Sequence, residues 1–223
     1  MTDVAGLVDA RRILAGAVLG PEELRAALGF DALEGLEGSE RAAVSRVPFG
    51  AAELERAKAD GEMLVLRLAR GPEGPLTMLG LAARLGGIDP RAHKGVGYML
   101  RDEWTIDDQP FATTETCTAG WWLVRREPVP ATLNRTYREQ DAALGPAAPD
   151  RPRRRSAAEI AFDTLCWHRA HGERLLAHVW DWSRSPSTDR GTAALGEFGD
   201  AGLRVIAYSG AVRFGTLGVC AQR

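Results

Sequence analysis

The sequence predicts an α+β fold: helices and isolated strands first, then a small antiparallel sheet that meanders to the end of the chain. Three observations carry that prediction. Before residue 150, helix-like segments are interrupted by two strand-like apolar runs, at 62–70 and 120–127. A strongly capped helix spans 156–172. From Leu175 onward the pattern becomes short apolar stretches punctuated by glycines, as in strands joined by tight turns. Strands segregated at one end of the chain, rather than alternating regularly with helices, belong to the α+β class.

Taken in order, residues 4–19 are apolar at near-helical spacing, Gly20-Pro21-Glu22-Glu23 starts a helix with proline in its first turn, and Gly29 stops it. A further helix over 51–60 ends at Gly61, and 62–70 follows as a central strand. Beyond a Gly/Pro turn, 76–85 forms a short amphipathic helix ended by Gly86-Gly87, and 88–118 is a long loop region. Strand 120–127 is closed by Pro128 and Pro130, 131–144 is helical, and 145–155 is a Pro-, Ala- and Arg-rich exposed linker. Ser156 and Glu159 form a capping box, His168, Arg169 and His171 place basic groups in the last turns, and Gly172 ends the helix. Ile160, Thr164 and Trp167 give that helix one face to bury.

At 223 residues the chain suffices for one domain with a helical appendage, here 1–46 ahead of a main unit at 47–223. A net charge of -2 supplies no field for nucleic acid, and no apolar run reaches the length of a membrane span. Cys117, Cys166 and Cys220 are odd in number and lack metal-ligand spacing, so reduced thiols and a cytoplasmic location are expected. Arg11-Arg12 ahead of the apolar run 13–19 has the look of an export signal. Asp3, Asp9 and Glu22-Glu23 have the wrong charge for one.

Catalytic patterns are sparse. His168 and His171 share a helix face near Cys166, but capping explains them more simply than zinc, and adjacent helix positions cannot pair Cys166 with His168 as nucleophile and base. Gly-rich phosphate loops, a nucleophile elbow and a His-Glu-x-x-His motif are absent, and no cofactor is expected. Trp180 and Trp182, two apart on a strand, point to one face. That placement suits Trp180 to the core and leaves Trp182 open between core and binding surface.

The tail joins two kinds of sequence. Framework positions read Gly-x-Phe-x-x-x-Gly-Leu-x-Val over 196–205 and Leu-Gly-Val-x-x-x-Arg over 217–223. Between them, Ile206, Ala207, Tyr208, Ser209, Ala211, Val212, Arg213, Phe214 and Thr216 follow no period. This arrangement resembles the C-terminal variable region of the variable proteins of diversity-generating retroelements. From Arg204 to Thr216 the chain lacks the five residue types, Lys, Glu, Gln, Met and Trp, that randomised adenine-rich codons of that family cannot produce.

The resemblance implies a C-type-lectin fold with helices near 131–144 and 157–171. It further implies a non-enzymatic protein whose variable surface, about 181–216, binds an unknown protein or other macromolecule. Asp181, Ser183, Arg184, Asp200 and Arg204 would join the tail residues on that surface, with Tyr208, Arg213 and Phe214 as anchors. The alternatives are an enzyme on the related formylglycine-generating type of fold, and an assembly protein that oligomerises through its N-terminal helices.

Overall fold

A computed structural model describes residues 6–34, 36, 38–85, 100–102, 106–146, 152–188 and 191–223. The chain opens with α1 (Leu7–Ile13), β1 (Val18–Leu19), α2 (Pro21–Leu28), α3 (Gly38–Ser45) and α4 (Ala51–Ala59). Helix α2 begins on proline and ends at Gly29, whose φ of 76° is the left-handed conformation that glycine adopts freely. The single helical run expected over 4–19 is instead broken, because Ala15 and Gly16 take positive φ. Beyond that break Val18 and Leu19 pair in parallel with Leu64 and Val65. The N-terminal segment therefore supplies a strand as well as helices.

Next come β2 (Glu62–Arg67), the hairpin of β3 (Arg70–Gly71) and β4 (Gly74–Pro75), and α5 (Met78–Arg84), capped by Thr77. The expected stop at Gly86-Gly87 lies outside the described residues, as does much of the loop 88–118. What is described there holds β5 (Leu100–Asp102) and α6 (Pro110–Thr113). Strand β6 (Gly120–Arg125) follows, then a 3-10 turn at Pro130–Thr132 and α7 (Tyr137–Leu144), so the helix expected over 131–144 begins later, at the Thr136 cap. Helix α8 (Ala157–His171) precedes β7 (Trp180–Ser187), β8 (Gly191–Gly199), β9 (Gly202–Tyr208) and β10 (Leu217–Gly218). The architecture is α+β, and among the described residues no helix is long and apolar enough to cross a membrane.

Two sheets matter. In the smaller, β2 lies between β1 and antiparallel β6. Its far edge is extended by the tail: Leu123 and Arg223 exchange both backbone hydrogen bonds, and Gln222 does the same with Arg153 on the other side. In the larger sheet, ordered β10-β7-β8-β9-β5, strands β7, β8 and β9 form the antiparallel meander. Both outer strands run parallel to their neighbours.

Helix α8 sits between these layers, touching α2, α5, α6, β2, β7 and β8. Every residue from Ala157 to Trp167 is buried, where the sequence suggested one buried face. Packing on several sides removes the need for a polar stripe. Its N-terminal amides are fully engaged. Ser156 and Glu159 form the expected reciprocal cap, and the Ala157 N–H donates to Ser185 Oγ, itself bonded to Glu115.

A buried ionic network joins the layers. From β2, Arg67 donates through Nε to Asp163 Oδ1 at 2.7 Å and also bonds Gln222. Arg155 bridges Asp163 at 2.6 Å and Asp181 at 2.7 Å, and Asp181 accepts the Cys220 N–H at 2.8 Å. All these charged side chains are at most 2% exposed. The expectation that 145–155 is an exposed linker therefore fails at Arg154 and Arg155, which face inward to buried acceptors.

Glu159 belongs to the same network. Burial would raise its carboxyl, but Arg67, the Ser156 N–H, Arg184 and Gln222 outweigh burial and hold it below the usual carboxylate range. A depressed folded pKa stabilises above the ordinary value, near 4.3, and that contribution is lost as pH falls through the folded value. Melting temperature should therefore drop on acidification below about pH 5, and Glu159→Gln should flatten that acid limb in a thermal scan across pH.

Candidate ligand-binding surface

The end of β9 and the loop beyond it rest on a second, smaller aromatic core. Trp180 and Trp182 of β7, Ala194 of β8 and Leu217 of β10 are buried together, half-covered by Tyr137, Ile206, Tyr208 and Val212. Both tryptophans are thus core, which settles the open reading of Trp182. Tyr137 meets the Trp182 ring edge-on at 5.1 Å, Tyr208 meets Trp180 and Trp182 at 6.2 and 6.3 Å, and Phe214 leans on Tyr208 at 5.3 Å. Such edge-to-face contacts fix ring orientation beyond what burial alone achieves. Phe214 is the outermost ring and remains 45% exposed.

The loop backbone is held by main-chain bonds. Gly210 O accepts from Tyr137 N at 3.0 Å, Phe214 O from Asn134 N at 3.0 Å, and Thr216 O from Trp180 N at 2.8 Å. Internal bonds from Val212 N to Ser209 O and from Leu217 N to Phe214 O close two further turns. Beneath the loop, Arg154 stacks 3.8 Å above the Tyr137 ring, donates to the carbonyls of Tyr137 and Trp182, and pairs with Asp141. The segment entering α7 and the strand β7 are thereby locked under it.

The residues expected on one surface divide in three. Ser209, Ala211, Arg213, Phe214 and Thr216 are exposed, with Ile206, Tyr208 and Val212 half-buried beside them. Arg184 is exposed on β7 but engages Glu159, and Arg204 lies over Trp180 and pairs with Glu197. Asp200 is exposed in the β8–β9 turn, where it pairs with Arg174. Strand rise puts that turn roughly 20 Å from Tyr208 at the other end of the hairpin, so Asp200 is not part of the patch.

Asp181, Ser183 and Ala207 are corrections, since all three are buried. Asp181 belongs to the ionic network, and Ser183 donates to Ala193 O at 2.6 Å. Strand β7 is covered on both sides over Trp180–Ser183, by α8 on one and the aromatic core on the other, so alternation exposes nothing there. Tyr137, Asn134 and Arg154, which complete and support the patch, were not anticipated. The signal for Tyr137 is the Thr136-x-x-Glu139 capping box that places it at the first helical position.

Elsewhere the chemistry is muted. Burial pushes the thiols of Cys117, Cys166 and Cys220 well above their ordinary pKa, which leaves them protonated and poorly nucleophilic. Burial and Arg174 hold the His168 imidazole below its ordinary pKa, which disfavours its charged form at the α8 C-terminus, and His171 bonds Val18 O. Among the described residues no three His, Cys, Asp or Glu side chains gather closely enough for a metal ion. A cleft of about 500 Å³ between the end of β6 and 173–179 carries Arg125, Arg126 and Arg174 against Asp60, Glu127 and Glu173, a balance that attracts neither sign of ligand. Comparison with known proteins finds no matching family model, no matching curated protein and no matching solved structure.

Proposed function

We propose that this protein is a non-enzymatic binding protein that presents the loop 208–216 as a recognition surface, with side chains diversified in the manner of the variable proteins of diversity-generating retroelements. Its meander β7–β9, with α7 and α8 beside it, supports the corresponding C-type-lectin-like reading of the α+β fold. One observation carries the proposal: the loop is fastened through the carbonyls of Gly210, Phe214 and Thr216 to backbone amides of Asn134, Tyr137 and Trp180. Main-chain bonds are indifferent to side-chain identity, so the outward residues can change while the backbone stays ordered. Preordering in turn spares the cost of fixing a loop on binding.

Joint replacement of Ser209, Ala211, Arg213, Phe214 and Thr216 by other polar or aromatic residues should therefore change stability little. Each exposed position should contribute within about 0.5 kcal/mol, Phe214 somewhat more for its contact with Tyr208. Leu217→Ala beneath them should cost about 2–5 kcal/mol, because Leu217 is fully buried. Chemical denaturation of both variants decides the matter, and unfolding of the surface variant would end the reading. Diversification itself is checked in the genome, where a near-copy of the tail's coding segment differing chiefly at adenines should lie beside a reverse transcriptase gene.

A further inference from the structure

The charges around the loop point to the chemistry of its partner. The apolar centre is Phe214 with the half-buried Tyr208 and Val212. Arg213 projects beside it, and Arg135 and Arg138 are exposed on the segment to which the loop is tied. Each of these two sits next to an anchoring residue: Arg135 follows Asn134, whose N–H bonds Phe214 O, and Arg138 follows Tyr137, whose N–H bonds Gly210 O. The carboxylates of α7 are already taken, Glu139 by Arg213 and Asp141 by Arg154. Three exposed arginines thus lie on the loop and on the segment it is tied to, Arg213 paired with Glu139, in a chain whose net charge is -2.

We propose that the patch recognises a protein segment in which an aromatic or aliphatic side chain is flanked by carboxylates. The apolar residue would cover Phe214, and the carboxylates would take charge-assisted hydrogen bonds from Arg135 and Arg138, with Arg213 exchanging Glu139 for a partner acid. This inference rests on the reading of 208–216 as a binding surface and adds the class of partner.

The test is selection of a displayed random peptide library on the whole chain, with a synthetic copy of an enriched peptide then titrated while backbone amide resonances are followed. The expected peptides place Phe, Trp or Leu among Asp and Glu and shift the amides of 208–216. They should lose affinity roughly tenfold or more on R135Q/R138Q/R213Q, a variant with an unchanged melting temperature, and weaken as salt rises. Neutral or basic peptides that bind 208–216, or peptides indifferent to the three substitutions, overturn the acidic partner and leave the binding surface standing. Peptides that map elsewhere, or no enrichment, overturn both. A single-stranded oligonucleotide that binds this face with the same arginine dependence overturns the assignment to protein.

Discussion

Asp163→Ala is expected to destabilise the fold by about 3–5 kcal/mol, the range for removing one partner of a buried charge cluster. Asp163 accepts from Arg67 and from Arg155, and all three side chains are shut away from water. Alanine leaves two guanidinium groups inside the protein with only part of their compensation, Glu159 and Gln222 for Arg67 and Asp181 for Arg155. Against a typical total stability of about 5–15 kcal/mol, that is a large share of what holds a chain folded. Urea denaturation should show a lower midpoint with an unchanged slope. Asp163→Asn, which keeps one acceptor but no charge, should fall between alanine and wild type. A loss below about 1 kcal/mol for alanine would mean that the two arginines find water once the carboxylate is gone.

Gly196→Ala should be comparably damaging for a steric reason. A Cβ at Gly196 would stand 2.2 Å from Val179 O and 2.7 Å from Trp180 Cα, and both are backbone atoms that cannot rotate aside. The β7–β8 pairing, in which Gly196 faces Trp180, would have to open, and Trp180 would shift within the aromatic core. Overpacking in a well-filled interior costs about 1–3 kcal/mol. With backbone on both sides the upper end applies, a fall in melting temperature of roughly 6–12 °C for a chain of this size. Calorimetry measures it directly, and the loop 208–216 should lose amide dispersion in step, since Thr216 hangs from Trp180.

Local chemistry was legible in several elements, the Thr136-x-x-Glu139 cap that starts α7 being the exception. Ser156, Glu159 and Gly172 marked α8 at both ends, Pro21 and Gly29 marked α2, and the 62–70 run showed β2, because a cap or a short apolar run needs few distant partners. What escaped detection depends on residues far apart in the chain. Arg154 and Arg155 look like any solvated basic run until Asp141, Asp163 and Asp181 are brought to them. Asp181 and Ser183 look like surface residues because strand alternation says nothing about a strand covered on both faces. Val18 and Leu19 continue a helical period in sequence and become a strand only because Leu64 and Val65 lie alongside. The apolar-to-irregular change at Ile206 in β9 foreshadowed the exposed loop that follows, whereas Tyr137 and Asn134 needed the fold to bring them to it.

The placing of residues 217–223 has a consequence for biosynthesis. They complete the edge of the larger sheet beside β7, the edge of the smaller sheet beside β6, and, through Gln222, the polar seam between them. While that heptapeptide remains inside the ribosomal tunnel, Trp180 and Leu123 lack their neighbours and Arg67 lacks its amide acceptor. The nascent chain must therefore linger with two open sheet edges, and chaperone occupancy should persist until residues 217–223 have cleared the tunnel and decline only then.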